Sequence, residues 1–554
     1  MEKIPINEFL DEILDTYGGF GRFQVFIMAV VLGSLSSVAF SMMMMTFAGA
    51  TPDWNCVIDD STVRFGVSQR STVTHDSRYV NDTLKKCYLS IGNDTTTTAC
   101  EAFSFNSSMD TVVNEWDLVC DKAWIPSTIT TIQMAGVLLG GLFSGHLADK
   151  IGRKPTYFLS LLFLLVFNIL CGFSVTWEMF AACRLFLGLG IGGFLTIFYP
   201  YVLEFVPRER RSILASIPMW GIWSTIFAFV AMGLPDWKYL HFVSAVIVVP
   251  WLLFWWAMPE SFRWLVSNNK QEAALEVIQH MAKVNRKPIE DIKALQARIE
   301  TDVEKVDTVK TYSIRDMFVS AELTKMTGLH VIAWLACGYG FYGVSFEVKG
   351  LTGNLYLNMA LLSIAEIPSV LTLYWFTNRI GRKWTSLLFS GIGAFAAVIM
   401  AFIEVTDLQS DVYRTVFPLI SKIGVSMAWL SIKLLSIEMF PTVIRSVSSG
   451  LFNAVARVGS LVAPQCVYLN DNIPGILYFI CSGLLLSAFT SVCFMPETKN
   501  KVLPDSLSDV SSKHRKPKSS PLKLFKISPP PPPPPTTTTT TMVENDNVMY
   551  VTHL

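Results

Sequence analysis

Apolar residues run along the chain in blocks of about 20, each bounded by charged or turn residues, which is the length a helix needs to cross a hydrocarbon core of roughly 30 Å. Twelve blocks are predicted as spans, near 24–48, 125–147, 155–175, 178–204, 212–234, 239–258, 327–345, 356–377, 385–403, 414–437, 447–468 and 474–495. The first follows an acidic stretch, Met1 to Asp15, and exceeds the roughly 7 to 15 apolar residues of a cleaved signal, so it is expected to remain as a span after the N-terminal segment 1–23. Between the sixth and seventh blocks, over 259–326, Ile289, Ile292, Leu295, Ile299, Val303 and Val306 recur every three or four residues. That spacing gives one apolar stripe on a polar helix, suited to lying against the face of a bundle. Within the last segment, 496–554, seven prolines (Pro529 to Pro535) and six threonines (Thr536 to Thr541) form a tail with too little apolar surface to fold. The predicted class is an all-α polytopic membrane protein with halves at 24–258 and 327–495.

Composition sharpens this picture. Of 554 residues, 51% are hydrophobic and 16% charged, against roughly 25% charged in soluble domains, which excludes an ordinary soluble enzyme. Forty-four basic residues balance forty-four acidic ones, so nothing favours a nucleic-acid partner. The distribution of the basic residues carries more information than their number. Lys150, Arg153 and Lys154, then Arg208, Arg210 and Arg211, then Arg379, Arg382 and Lys383, and finally Arg445 all fall in connections on one side. The positive-inside rule makes that side cytoplasmic and places both termini there. The segment 50–123 then lies outside, where its sequons at Asn81, Asn93 and Asn106 are open to glycosylation. It also holds Cys56, Cys87, Cys100 and Cys120, which allow two disulfides in any of three connectivities.

The chain repeats itself. Asp149-Lys-Ile-Gly-Arg-Lys154 after span 2 recurs as Asn378-Arg-Ile-Gly-Arg-Lys383 after span 8. Glu204-Phe-Val-Pro207 with Arg211 recurs as Glu438-Met-Phe-Pro441 with Arg445, and Pro259-Glu-Ser recurs as Pro496-Glu-Thr. Three matches in the same order at nearly constant offset point to a duplicated six-helix unit, the signature of a transporter built from two halves.

These motifs, with Arg184-Leu-Phe-Leu-Gly-Leu-Gly-Ile-Gly-Gly193, Asn114-Glu-Trp-Asp-Leu-Val-Cys120 and Pro259-Glu-Ser-Phe-Arg-Trp-Leu265, resemble the major facilitator superfamily and, within it, the organic cation, organic anion and carnitine transporters. The resemblance covers about residues 8 to 505 and departs from the family at Phe262, where proline is usual, and at Asn378, opposite Asp149. It implies a plasma-membrane carrier for small organic ions working by alternating access, without cofactor or metal, and with a co- or counter-ion left open. It also implies that Asp149, Arg153 and Arg184 act as conformational elements, ion pairs that hold one facing state, with Glu204, Arg208, Glu438 and Arg445 as candidates for the same latch.

An ionisable group at membrane depth costs about 2.5 to 3.5 kcal/mol on insertion scales and is presumed functional. Glu366 and Arg457 fall near the middle of spans 8 and 11 and are the first candidates for substrate contact, the alternative being a structural pair. Span 10 adds Lys422 and Lys433, the latter either adding positive charge to the cavity or snorkelling to the interface. Arg457 stands where the anion and carnitine branches carry arginine and the cation branch aspartate. Glu366 resembles the carnitine and cation branches. One carboxylate and one guanidinium suit a zwitterion, and a cavity-facing Lys433 would tip the balance toward anions. Organic cations are the runner-up, and a receptor of the same fold without flux is a further alternative. Trp220, Trp223, Trp334, Tyr339, Phe341 and Tyr342 are the aromatic candidates, since a ring face attracts quaternary ammonium by roughly 0.5 to 2 kcal/mol. His330 is read as a helix-end residue.

Gly188-Leu-Gly-Ile-Gly-Gly193 lies inside an apolar span and does not follow a strand, so close helix packing explains it better than dinucleotide binding. No Gly-x-x-x-x-Gly-Lys-Ser/Thr element is present to suggest an ATP-driven pump. The final Val551-Thr-His-Leu554 fits a C-terminal ligand for a PDZ-domain partner.

Overall fold

The computed structural model describes residues 6–57, 87–90, 97–100, 102–106, 109–207, 210, 217–288, 313–351, 353–406, 410–441 and 443–499. Twelve helices coincide with the twelve predicted blocks. The first six are α1 (Arg22–Ala48), α2 (Ile125–Ile151), α3 (Arg153–Gly172), α4 (Trp177–Leu203), α5 (Met219–Gly233) and α6 (Trp237–Leu253). The second six are α7 (Ala321–Phe346), α8 (Leu355–Arg379), α9 (Arg382–Val405), α10 (Asp411–Met439), α11 (Arg445–Asn472) and α12 (Ile476–Cys493). Among the described residues, nine of the helices are long and apolar enough to cross a membrane, and α5 and α6 are shorter apolar ones. The remaining helix, α11, is polar along its length, with Asn453, Arg457, Gln465 and Asn470.

Helix starts follow local chemistry. The Ser320 hydroxyl accepts from the Leu323 amide at 3.2 Å, so α7 begins six residues before the predicted 327. His330 is therefore inside the helix, fully buried and stacked on Phe452 at 5.3 Å, rather than at its end. The glycine run of α4 is a packing surface: a Cβ on Gly188 or Gly192 would lie 2.3 or 2.1 Å from the carbonyl oxygens of Gln133 and Val137 in α2. The two backbones touch, as small residues allow.

The α2–α3 and α8–α9 corners are copies of one another. Gly152 (φ +113°) and Gly381 (φ +112°) adopt a conformation that side-chain-bearing residues avoid. A Cβ at either would meet a carboxylate oxygen, Glu260 Oε2 at 2.3 Å or Glu497 Oε2 at 2.5 Å. Gly152→Ala or Gly381→Ala should therefore cost about 1–3 kcal/mol, through backbone strain and displacement of that carboxylate. Thermal unfolding of the detergent-solubilised protein measures this; wild-type stability in both variants would show that the corners tolerate a side chain.

In the segment after α1, strands β1 (Trp54–Val57) and β4 (Ala102–Phe105) pair antiparallel, as do β2 (Tyr88–Ser90) and β3 (Thr97–Ala99). Of the three open connectivities the fold selects Cys56–Cys100 and Cys87–Cys120, with Cα separations of 5.9 and 5.7 Å. The loop is fastened to the first half. Trp116 donates from Nε1 to the Val175 carbonyl at 3.2 Å and packs on Phe180 and Trp237, while Glu115 pairs with Lys238 at 2.7 Å. Asn106 is exposed just after β4; Asn81 and Asn93 lie outside the described residues.

At the loop end the two halves meet. Gln465 of α11 donates to the hydroxyls of Thr131 (3.0 Å) and Thr128 (3.3 Å) in α2, and Phe47 of α1 stacks on Tyr356 of α8 at 5.3 Å. At the opposite end, the linker helix Gln271–Val284 leads into Asn285, whose side chain donates to the Gly18 carbonyl (2.8 Å) and to Gln24 (3.0 Å) and accepts from the Phe23 amide (3.1 Å). Arg263 pairs with Asp11. The linker thus docks on the chain entering α1. The apolar stripe 289–306, Arg208, Arg211, the tail and the C-terminal Leu554 lie outside the described residues.

Candidate functional site

Three separated repeats in the sequence converge in space as one cluster in each half. In the first half Arg153 bonds Asp149 through Nη1 (2.8 Å) and Glu204 through Nε (3.3 Å), while Glu260 accepts from the backbone amides of Arg153 (3.0 Å) and Lys154 (3.2 Å). In the second half Arg382 bonds Glu438 through Nε (3.0 Å), and Glu497 accepts from the amides of Arg382 (3.0 Å) and Lys383 (3.1 Å). A carboxylate over the first turn of α3 or α9 satisfies amides that have no partner within the helix and complements its dipole. Burial pushes the Glu260 carboxyl above its ordinary range, against the pull of the amides of Ser261, Lys154 and Arg153. Asn378 stands where the first half has Asp149, and Thr498 donates its hydroxyl to Glu438 at 2.5 Å. Arg445 donates to the Phe440 carbonyl at 3.4 Å.

Among the described residues these ion pairs tie helices of the same half. Arg184 stands apart from them. It lies 20 residues before Glu204 on α4, about 30 Å along the helix. It is fully buried at the loop end, bonded to Gln133 and to the Ser41 carbonyl. Glu260 and Glu497 are the cluster members not singled out from sequence, although the repeated Pro-Glu pair pointed at both.

Midway along the bundle, Glu366 of α8 and Lys422 of α10 are both buried (8% and 3% exposed), with Oε2 and Nζ 4.0 Å apart. Lys422 stands beside Glu366, while Arg457, the other half of the alternative structural pair, bonds the Tyr342 hydroxyl. The Lys422 ammonium also donates to Ser345 (2.7 Å) and sits 3.2 Å from the centroid of the Phe341 ring. Phe341 meets Trp429 edge-on at 5.2 Å and Tyr342 at 5.2 Å, so an aromatic corner frames the pair. Trp429 was not among the sequence candidates, because one ring in an apolar span carries no periodic signal.

Arg457, half-buried on α11, donates from Nη1 to the Tyr342 hydroxyl at 2.7 Å and lies 5.7 Å from that ring. Lys433, half-buried on α10, lies 4.9 Å over the ring of Tyr199 from α4, a contact that joins the two halves. Its side chain therefore turns into the bundle. Of the other aromatics, Trp334 donates to Ser436 (2.9 Å) and stacks on Phe452 at 6.0 Å, a packing role within the second half. Trp223 bonds the Leu32 carbonyl (3.1 Å), Tyr339 bonds the Leu477 carbonyl (3.3 Å), and Trp220 is half-buried on α5. Gly221, next to Trp220, packs so closely on α8 that a Cβ there would lie 2.9 Å from the Ser363 carbonyl oxygen.

Two six-helix halves with duplicated corners and charged groups at mid-depth define a membrane transporter of the major facilitator type. The fold matches that of the proton:xylose symporter XylE bound to 6-bromo-6-deoxy-D-glucose, with a TM-score of 0.57 at 16% identity over 86% of this chain and 97% of that one. A partially occluded inward-open form of XylE from E. coli gives 0.55 at 14% identity over 86% and 99%. The family described as sugar (and other) transporter matches residues 77–505. Organic anion transporter 3 of Oryctolagus cuniculus is 30% identical over 518 residues, covering 90% of this chain and 93% of the relative. An organic cation transporter-like protein of Drosophila melanogaster is 27% identical over 532 residues (90% and 92%), and solute carrier family 22 member 7 of Rattus norvegicus is 25% identical over 533 (91% and 98%). The chain belongs to this family, on the branch of the organic ion transporters of solute carrier family 22, which are carriers and not enzymes.

Proposed function

We propose that the protein carries organic anions across the plasma membrane by alternating access, with its four-cysteine loop outside and both termini in the cytoplasm. The basic corners at Arg153, Lys154, Arg382 and Lys383 support that orientation. The observation that carries the substrate class is the pairing of Glu366 with Lys422. With that carboxylate engaged, Arg457 beside Tyr342 and Lys433 over Tyr199 are the basic groups left to meet a substrate. An anionic substrate gains charge-assisted bonds, while its apolar body packs on the aromatic corner.

A zwitterion is the second reading. The 4.0 Å separation between Glu366 and Lys422 is long for an ion pair, and a substrate ammonium could compete for the carboxylate. Cells producing the protein are tested with a radiolabelled aryl carboxylate, a dicarboxylate, carnitine and a quaternary ammonium. Saturable uptake of a carboxylate is expected. Uptake of the quaternary ammonium alone would overturn the reading, and no uptake despite surface delivery would favour a receptor.

A further inference from the structure

A cavity of about 750 Å³ lies at the loop end beneath the disulfide-linked segment. Its walls come from both halves: the loop and the start of α2 on one side, the ends of α7, α8 and α11 on the other. Four carboxylates line it, Asp53 and Asp121 from the first half and Glu347 and Asp471 from the second. No lysine, arginine or histidine stands among the described residues that line it. Three rings face it, Trp54, Tyr356 and Tyr468. Two of them are held in place, Tyr356 by its stack on Phe47 (5.3 Å) and Trp54 by its edge-on contact with Phe103 (5.4 Å). At the base, the Thr46 hydroxyl is buried (1% exposed) without a hydrogen-bond partner among the described residues, beside a small void that shares Ser127 and Val467 with the cavity wall.

This is the opposite chemistry to the central site. Aromatic faces attract a quaternary or protonated amine through the ring quadrupole, and carboxylates around them add long-range attraction for a cation entering from water. The central site presents Arg457 and Lys433 and repels the same ligand. The cavity is also state-dependent. Because Trp116 and Glu115 fasten the loop to the first half and the disulfides tie the loop to itself, any rocking that separates Gln465 from Thr131 carries Tyr356 and Tyr468 away from Asp53 and Asp121.

We propose that this cavity binds small organic ammonium ions from the loop side, and that an occupant holds the loop end closed and so inhibits transport. The inhibition rests on the alternating-access reading above; the binding does not. A ligand that binds one facing state alone shifts the population toward it.

The test uses the full-length protein and decamethonium, a membrane-impermeant bis-quaternary ammonium. With purified protein, decamethonium should raise the melting temperature, and Asp53→Asn with Asp121→Asn should weaken its apparent affinity about tenfold, as should Tyr356→Leu. In intact cells, external decamethonium should lower the maximal rate of carboxylate uptake with little change in KM, while the Asp53/Asp121 variant keeps basal uptake and loses the inhibition. An equal thermal shift in wild type and both variants, or none at all, overturns the cavity assignment. A raised KM at constant maximal rate would place the ammonium in the central site and equally overturn it. A thermal shift that depends on Asp53 and Asp121 in a protein that moves no solute would keep the cavity and reject the transport reading.

Discussion

Lys422→Met should be the most damaging single change in the membrane-embedded part of this protein. Lys422 is 3% exposed, and removing its ammonium leaves the Glu366 carboxylate buried without its counter-charge. Breaking one partner of a buried pair costs about 3–5 kcal/mol, whereas replacing both by apolar or neutral groups of similar volume is often close to neutral. The expected result is a large fall in melting temperature and surface level for Lys422→Met, and recovery of most of that loss in Lys422→Met with Glu366→Gln. The four proteins form a cycle that isolates the interaction between the two positions. If Lys422→Met alone unfolds at the wild-type temperature, or the second substitution restores nothing, the two side chains are not coupled as the 4.0 Å geometry indicates.

Arg457→Asp should have the largest effect on transport with the least effect on folding. Arg457 is only half-buried, so its loss strands no desolvated charge. Carboxylate uptake should fall at least about a hundredfold, equivalent to roughly 2.7 kcal/mol, because a charge-assisted contact is replaced by repulsion. Arg457→Lys keeps the charge and sacrifices the fork that reaches the Tyr342 hydroxyl, so a smaller loss of about tenfold is expected. Uptake normalised to surface protein decides the matter. Carboxylate uptake within about twofold of wild type in Arg457→Asp would remove Arg457 from the substrate path.

How far these sites are legible in sequence depends on the range of the interaction. The twelve helices were readable because hydrophobic length is a local property, and the two corner clusters because duplication writes the same residues twice. Pairing across helices was not readable. The sequence offered Arg457 as the alternative structural partner of Glu366, and only the packing of the helices brings Lys422 to Glu366 and Arg457 to Tyr342. The contacts of Trp334, one of the aromatic candidates, with Ser436 and Phe452 likewise cross helices and leave no mark in the sequence. Arg184 was grouped with Asp149 and Arg153 by resemblance of motif, although helical rise alone separates it from Glu204 by about 30 Å.

The way the four-cysteine loop is fastened also bears on how the protein is made. Both disulfides, the Glu115–Lys238 pair and the packing of Trp116 on Trp237 use residues between Cys56 and Lys238, and α7 begins only at Ala321. At a synthesis rate of about 5–20 residues per second, several seconds separate completion of the first set from emergence of the second half. Disulfide formation and docking of the loop therefore need nothing from the second half. The first six helices and their loop form a unit able to mature while the rest of the chain is still on the ribosome.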